Sequence, residues 1–262
     1  MMKRYNKSKH CKEKNKFVYL MSIIFLILIV GIVLRHIYCI YISKVNKNIY
    51  ENIDKQIICS NEKIDAEQCN IKKMIEAKKI NSDVVGWIEI DNTSINYPIL
   101  QCNDNQYYLN HTYKGEESTY GSIFLKSNCD IYNKNSNLII YGHNMKDGQM
   151  FNQIIKYEDK EYYNQHKIIK IATEQEQFEY EIISVFKSRV FYQDEKNVFR
   201  FYNYVNFENE KTYNEFIDLC KKIQLYDTGI EAKYGEQLVT LITCEYSQDN
   251  GRMVVVARKI NK

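Results

Sequence analysis

The stretch QLVTLITCEYSQDNGRMVVVA, residues 237–257, holds two apolar runs rich in β-branched residues with a short polar segment between them. This pattern predicts a β-hairpin, in which two antiparallel strands are joined by a loop. Cys244 ends the first run, and Arg252 stands at the head of the second. A hairpin brings these two positions to the same rim of a sheet, so we expect a thiol and a guanidinium to lie side by side there.

The chain outside this hairpin contains further short runs of the same character, separated by polar turns. So many short strands predict a β-barrel or a sandwich, and we expect a mainly β (α+β) fold built on a closed barrel. Helical spacing occurs at 150–166 and at 206–223, where the second helix is predicted to begin at Asn206. The single proline, Pro98, is expected to end or edge its strand. The six further runs are WIEI (87–90), INYPIL (95–100), GSIFL (121–125), NLIIY (137–141), KIIKIA (167–172) and FEYEIISVF (178–186).

The amino-terminal part of the chain has the composition of a membrane anchor. Seven Lys or Arg residues lie between Lys3 and Lys16, and the run FVYLMSIIFLILIVGIVL at 17–34 carries no charge. The apolar character resumes beyond two polar residues and continues through Tyr41. Since a helix rises about 1.5 Å per residue, this run can cross a hydrocarbon core of about 30 Å. A cleaved signal peptide is the alternative, but the apolar run is long for one and no small-x-small cleavage site follows it.

These patterns predict four segments. They are a basic cytoplasmic terminus at 1–16, a transmembrane anchor at 17–41, a helical stalk at 42–80 that also packs on the domain, and a catalytic β-barrel domain at 81–262. The stalk prediction comes from a polar, Ile-containing stretch without Pro or Gly. The basic amino-terminal side predicts a single-pass membrane protein with a cytoplasmic amino terminus and its barrel domain outside the cell.

Composition excludes several classes of protein. The 262 residues are 45% hydrophobic and have a net charge of +3, which suits a packed core and not a disordered chain. The sequence contains neither a phosphate loop nor a nucleic-acid surface, so we expect no nucleic-acid partner. Its eight cysteines form no CxxC pair and no compact disulfide framework. No Cys/His cluster has zinc-ligand spacing, so we expect no metal and no cofactor.

Three histidines compete for a role beside the thiol. His143 follows the apolar run NLIIY in the sequence YGHN, residues 141–144, so a strand would deliver its imidazole to a turn. His111 follows YLN in a predicted loop. His166 lies in the polar segment NQHK, where a solvated surface position fits better. We therefore select His143.

A thiol, an imidazole and a guanidinium at one site favour acyl transfer. A free cysteine thiol, with a pKa of about 8.5, needs help to attack an amide at neutral pH. An imidazole can donate a proton to the leaving amine and later accept one from the incoming amine. The planar guanidinium can hold a developing oxyanion. The structural alternatives are that Cys244 is a buried strand thiol and that Arg252 is an exposed strand-end charge, as we expect for Arg258.

The same residues carry a family resemblance. TLITC with Arg252 downstream, YGHN at 141–144 and the anchor in front of them are similar to the sortase family, and their arrangement resembles its class B. The resemblance runs from about Ile80 to Ile260. It includes the segments NSDVVGWIEIDNTSINYPIL, YYLNH, GSIFL and YGHNMKDGQMF.

The resemblance implies a cysteine transpeptidase that cleaves a sorting signal near the carboxyl terminus of secreted proteins. A thioacyl intermediate on Cys244 would then be resolved by an amine of a peptidoglycan precursor or cross-bridge. Class B favours an NPQTN-like signal over LPXTG. We expect the protein to act as a monomer.

The resemblance also suggests which residues line the substrate groove, namely Asn110, Tyr141, Val198 and Phe199. Glu245, next to the thiol, is expected to orient Arg252 or bind substrate, although a surface carboxylate is an equal alternative. No aspartate stands out as the third member of a Cys-His-Asp relay. Asp147 and Asp249 are candidates only through their proximity in the sequence.

Two other functions remain open at this point. A papain-like cysteine protease would resolve the acyl-enzyme with water, but here the histidine precedes the cysteine and no helix begins at the cysteine. A catalytically silent, membrane-tethered interaction domain could use the same barrel. The presence of Cys, His and Arg together argues against it.

Overall fold

The computed structural model describes residues 2–58, 66–133 and 136–260. Within these ranges the chain forms four α-helices and eight β-strands. The helices are α1 (Met2–Ile58), α2 (Ala66–Ile80), α3 (Lys160–Gln165) and α4 (Glu210–Ile223). The strands are β1 (Val84–Glu89), β2 (Asn96–Leu100), β3 (Ile123–Leu125), β4 (Asn137–Tyr141), β5 (Ile168–Ala172), β6 (Gln177–Arg189), β7 (Leu238–Cys244) and β8 (Gly251–Lys259).

The strands close into a barrel in the order β1-β2-β3-β4-β7-β8-β6-β5, which confirms the predicted mainly β, closed-barrel fold. Strand β5 completes the circle by pairing antiparallel with β1. Two neighbouring pairs, β2 with β3 and β4 with β7, are parallel. A closed barrel leaves no long unpaired edge, and large side chains on both faces of its sheet are buried, among them Trp87, Tyr180, Phe186 and Val255, all at most 1% exposed.

Pro98 does not end its strand. It is the central residue of β2 and lies opposite Trp87 of β1. Strand β3 pairs only with Ile99 and Leu100, so the ladder on that side begins after the proline. A proline, which lacks an N–H donor, is tolerated in this position because the β3 side of the strand needs no bond from it.

The first helix, α1, contains the predicted anchor. Residues 17–41 are all exposed, and the helix is long and apolar enough from Phe17 onward to cross a membrane. The structure divides into two compact units, one ending at Ile49 and the other beginning at Tyr50. The second unit contains the barrel and α2, which packs on β1. Asn70 of α2 donates to Glu89 (2.6 Å) and to Gln177 (2.8 Å).

Two helix predictions need correction. The segment 150–166 is not one helix but a 3₁₀ helix at Asn152–Glu158 followed by α3. Extended Asp159 separates them, and its carboxylate accepts the N–H of Glu161. The N-cap of helix α4 is Asn209, three residues after the predicted Asn206, because Asn209 and Thr212 form the capping box while Asn206 pairs with Ser136.

The thiols in the described part of the chain are unpaired with one another. The cysteines whose side chains the structure describes are all free: Cys39, Cys69, Cys102, Cys129, Cys220 and Cys244.

Candidate active site

Sheet register brings the candidate residues to one rim of the barrel. Because β4 and β7 are parallel neighbours with Tyr141 opposite Ile242, both chains leave the sheet at the same edge. In the β7–β8 hairpin, Cys244 lies directly opposite Arg252. Directly opposed residues of an antiparallel pair have Cβ atoms about 5 Å apart, so the thiol and the guanidinium are neighbours on one face.

The turn after β4 is fixed to β7 by backbone contacts. The N–H of Gly142 donates to the carbonyl of Ile242 (3.2 Å), and the Thr243 hydroxyl donates to the carbonyl of Gly142 (2.8 Å). A Cβ atom at position 142 would stand 2.4 Å from Ile123 and 2.7 Å from Phe151, so only glycine fits. This close packing sets where His143 leaves the sheet.

The imidazole of His143 is held by a backbone carbonyl. Its Nε2 lies 2.7 Å from the carbonyl oxygen of Leu109. Since a carbonyl oxygen only accepts, Nε2 carries the proton, and the neutral ring therefore has its lone pair on Nδ1. The carbonyl of His143 in turn accepts the N–H of Phe151 (2.9 Å), which closes the following loop.

Asn144 links the histidine turn to the nucleophile strand. Its side-chain amide donates to the backbone carbonyl of Cys244 (3.0 Å), and its side-chain oxygen accepts from Asn152 (2.7 Å). The residue after His143 is therefore bonded to the residue that carries the thiol. The sequence did not single out Asn144 as a site residue. Its proximity to Cys244 follows from the parallel pairing of β4 with β7, which the sequence does not reveal.

Arg252 is oriented by the hairpin loop. Its Nη1 donates to the carbonyls of Asn250 (3.1 Å) and Gly251 (2.8 Å). Asn250 has a positive φ of 54°, and a Cβ at Gly251 would stand 2.3 Å from the carbonyl of Glu245. The tight loop thus supplies two carbonyl acceptors to one guanidinium nitrogen of Arg252. The same side chain lines a cleft.

A cleft of about 410 Å³ opens at this rim, and its wall is largely apolar. Cys244, His143, Arg252 and Tyr141 all contribute to it. Burial raises the pKa of Tyr141 well above its ordinary value, and the charge of Arg252 partly offsets this effect. The remaining lining residues are Asn105, Leu109, Phe124, Gly142, Val190, Phe201, Tyr202, Ile242 and Thr243.

The other four predicted groove residues are not among those that line the cleft. Asn110 is exposed just after the 3₁₀ helix at Tyr107–Leu109. Val198 is half-buried, and the ring of Phe199 packs on Phe186 (6.2 Å) and Phe216 (5.8 Å) between ring centroids.

Glu245, the fourth of them, belongs to a polar network beside the cleft. It accepts from the hydroxyl (2.6 Å) and the N–H (3.0 Å) of Ser247, and Lys187 lies 3.8 Å away. Burial raises the pKa of Glu245, but the hydrogen bonds from Ser247 and the charge of Lys187 outweigh it and leave that pKa lowered. The carboxylate is therefore held in its ionised form.

The competing residues lie elsewhere. His111 stacks on Tyr107 with ring centroids 4.0 Å apart, and His166 follows α3, where its Nδ1 lies 2.8 Å from the carbonyl of Tyr162. Asp147 accepts from Tyr120 and Gln149, and Asp249 is exposed in the hairpin loop. None of these four lines the cleft. Arg258, predicted to be an exposed charge, is instead half-buried between two carboxylates.

Several cleft residues escaped sequence reasoning. Val190, Phe201 and Tyr202 come from the segment between β6 and α4, whose alignment to the strands no motif fixes. Leu109 lies in the YYLNH segment, but nothing in its type marks it as a wall residue. Over residues 2–58, 66–133 and 136–260 there is no group of three or more His, Cys, Asp or Glu side chains that could hold a metal ion.

A thiol, an imidazole and a guanidinium that share one apolar cleft on a closed barrel define a thiol-dependent acyl-transfer enzyme. Comparison of the chain with known proteins identifies its family. The model of the Sortase domain matches residues 88–260. The chain is 32% identical to sortase B of Listeria monocytogenes over 232 residues, which cover 84% of this chain and 90% of that protein.

Two solved structures agree. A Staphylococcus aureus sortase B–substrate complex has a TM-score of 0.68 and 29% identity, covering 84% of this chain and 96% of that one. A sortase B complexed with triglycine has a TM-score of 0.71 and 30% identity, covering 84% and 99%. The chain belongs to the sortase family, class B, and its activity is that of a cysteine transpeptidase that processes sorting signals.

Proposed function

We propose that Cys244 cleaves an NPQTN-like sorting signal of secreted proteins and transfers the new carboxyl end to a peptidoglycan amine. The thiolate attacks the carbonyl carbon of the signal threonine, the peptide bond after that residue breaks, and a thioacyl intermediate remains on Sγ. The amine of a peptidoglycan precursor or cross-bridge then attacks the same carbon and releases the thiol. The observation that carries this proposal is the presence of Cys244, His143 and Arg252 in one cleft.

His143 moves the protons in both halves of the reaction. Because Nε2–H is held by the Leu109 carbonyl, proton exchange with the substrate falls to Nδ1. The imidazolium gives the Nδ1 proton to the leaving amine, and the neutral ring then takes one from the incoming amine. The Leu109 carbonyl thus has the orienting role that a carboxylate has in a Cys-His-Asp arrangement.

Arg252 stabilises the oxyanion of the two tetrahedral states. Its Nη1 is occupied by loop carbonyls, which fixes the plane of the guanidinium and leaves the other edge of the fork for the substrate oxygen. A fixed donor is worth more than a mobile one because it needs no reorganisation during the reaction.

The apolar wall of the cleft receives the peptide. Leu109, Val190, Phe201 and Ile242 offer contacts to aliphatic side chains, and the hydroxyls of Tyr141 and Tyr202 offer polar ones. The relatives with a bound substrate and with triglycine support a peptide donor and an amine acceptor for this chain. Asn110, Val198, Phe199 and Glu245 remain predicted substrate contacts.

The same proposal includes the location of the enzyme. The exposed apolar residues 17–41 form a single-pass anchor, the basic terminus stays in the cytoplasm, and the barrel works outside as a monomer. Secreted proteins would then meet the cleft on the outer face of the membrane, where peptidoglycan amines are also found.

Mass spectrometry of the full chain in detergent tests this mechanism. The protein is incubated with NPQTN or LPXTG peptides, with and without triglycine, beside Cys244→Ala and His143→Ala. We expect a thioacyl adduct on Cys244 and a triglycine-capped product from the NPQTN peptide. Both should be absent from Cys244→Ala.

Other outcomes have defined meanings. Hydrolysis alone with triglycine in excess would favour a papain-like protease or a different acceptor. No adduct with either peptide, from folded protein whose thiol reacts with iodoacetamide, would favour a silent interaction domain. Full activity of His143→Ala would overturn the proton-transfer role.

A further inference from the structure

Three tyrosines meet where the last turns of α1, from Tyr50 onward, enter the barrel unit. The ring of Tyr50 stands edge-on to Tyr97, with centroids 4.9 Å apart, and lies 5.6 Å from the ring of Tyr113. Tyr50 is only 7% exposed, and Ile53, one turn further on, is 1% exposed. The carboxyl-terminal turns of α1 therefore supply core residues to the barrel unit.

Tyr97 connects this cluster to the loop that follows His143. Its hydroxyl accepts the N–H of Met150 at 3.0 Å. Met150 is fully buried and has a positive φ of 55°, a conformation that costs an L-residue roughly 1 kcal/mol and persists only where the surroundings impose it. Burial also raises the pKa of Tyr97 to about 12, so the hydroxyl stays neutral at physiological pH.

The loop from His143 to Phe151 returns directly onto the histidine. Met150 forms a β-bridge with Asn144, and the N–H of Phe151 donates to the carbonyl of His143 (2.9 Å). Two hydrogen bonds thus hold the loop that carries His143. Asn144, at its start, is bonded to Cys244, and Met150, near its end, is bonded to Tyr97.

We infer that Tyr97 is a positioning residue for His143, that Tyr50 supports it, and that the last turns of α1 therefore belong to the catalytic unit. This inference rests on the proposed function in one respect, the proton transfer by His143. Misplacing a reacting group by about 1 Å can cost on the order of 100-fold in rate. Because the Tyr97 hydroxyl bonds Met150 of this loop and not His143 itself, we expect a smaller effect, a loss of roughly tenfold in kcat.

The test measures transpeptidation of an NPQTN peptide to triglycine by the full chain in detergent. Tyr97→Phe removes the hydroxyl and keeps the ring, and Tyr113→Phe is the matched loss of one hydroxyl from the same cluster. We expect Tyr97→Phe to lower kcat about tenfold, leave KM within twofold and shift the limb of the pH–rate profile that reports the imidazole. Tyr113→Phe should match the unmodified enzyme.

Two substitutions at Tyr50 test whether its ring supports Tyr97. Tyr50→Phe keeps the ring against Tyr97 and should retain kcat, while Tyr50→Ala should reproduce the kcat loss of Tyr97→Phe. The alkylation rate of Cys244 with iodoacetamide should stay unchanged in all four variants, because the thiol is held by β7 and the Asn144 bond.

The outcomes separate this inference from the proposed function. Activity that survives His143→Ala overturns the proposed function and with it this inference. Loss of activity in His143→Ala combined with an unchanged kcat and pH profile in Tyr97→Phe overturns the positioning role alone. Equal losses in Tyr97→Phe and Tyr113→Phe that track a lower Tm would show a purely structural role and also overturn it.

Discussion

At the residue scale, Arg252 and Arg258 are two arginines of one strand that have different partners. Both lie on β8, six residues apart and so on the same face, but at opposite ends. Arg258 is clamped by Glu181 (2.9 Å) and Glu236 (3.1 Å), whereas the Nη1 of Arg252 is bonded to carbonyls of the hairpin loop. Two guanidiniums with such different partners make a matched pair for substitution.

Arg252→Lys should lower kcat by about 100- to 1000-fold, the loss typical of removing one oxyanion donor. A lysine ammonium cannot bond the loop carbonyls with one edge and the substrate oxygen with the other, so the planar geometry is lost. Arg258→Lys should leave kcat unchanged and lower Tm instead. Steady-state kinetics with the NPQTN peptide and triglycine measure both, and equal kcat values for the two variants would refute the assignment.

Glu245 predicts a pH dependence of stability. Its pKa is lowered in the folded protein from about 4.5, so the folded state binds this proton more weakly than the unfolded state. The resulting stabilisation is complete above the ordinary pKa and is lost as the pH falls through the folded value. Between pH 7 and about pH 3, Tm should therefore fall less in Glu245→Gln than in the unmodified enzyme.

Asp249→Asn, which removes an exposed charge from the same loop, controls for net charge in that comparison. Parallel Tm-against-pH curves for Glu245→Gln and the unmodified enzyme would contradict the lowered pKa.

The sequence singled out three candidate side chains but not their partners. Cys244, His143 and Arg252 stand out because chemistry restricts which residue types can act and strand ends restrict where. The partner of His143 is the backbone carbonyl of Leu109. Every residue has a backbone carbonyl. No residue type could have identified it.

At the scale of elements, local patterns located the strands better than the helix limits. Alternating and β-branched runs located all eight strands, because each strand must bury one face in the barrel. The start of α4 was wrong because two asparagines stand three residues apart, and a tertiary pairing of Asn206 with Ser136 decides which of them caps. Nothing local distinguishes the two.

Asn209→Ala should lower the free energy of unfolding by about 0.5–2 kcal/mol, since it removes the oxygen that accepts the N–H of Thr212 at 3.0 Å. Helix α4 buries Tyr213, Phe216, Ile217 and Cys220, so fraying its first turn also loosens this contact. Asn206→Ala leaves the cap intact and should cost less. Denaturant unfolding of both variants measures this difference. A larger loss of unfolding free energy in Asn206→Ala would indicate that Asn206, as predicted from the sequence, caps the helix.

At the scale of the whole molecule, the division of the chain is the main new information. A polar helical stretch after an anchor has the composition of a stalk, and the sequence contains no sign of which turn first packs on the barrel. That information is held in long-range contacts, since Tyr50 meets Tyr97 and Tyr113 from distant parts of the chain. The compact unit that contains the barrel begins at Tyr50.

Fragments that begin at Tyr50 and at Asp54 should therefore differ sharply in stability. The shorter fragment lacks the buried side chains of Tyr50 and Ile53. Burying one large apolar side chain contributes about 1.5–3 kcal/mol, so the loss should be about 3–6 kcal/mol. Most domains have only about 5–15 kcal/mol in total, so the fragment from Asp54 should unfold at a much lower guanidinium concentration. Equal midpoints would mean that the helix end is dispensable, and the support of Tyr97 by Tyr50 would fall with it.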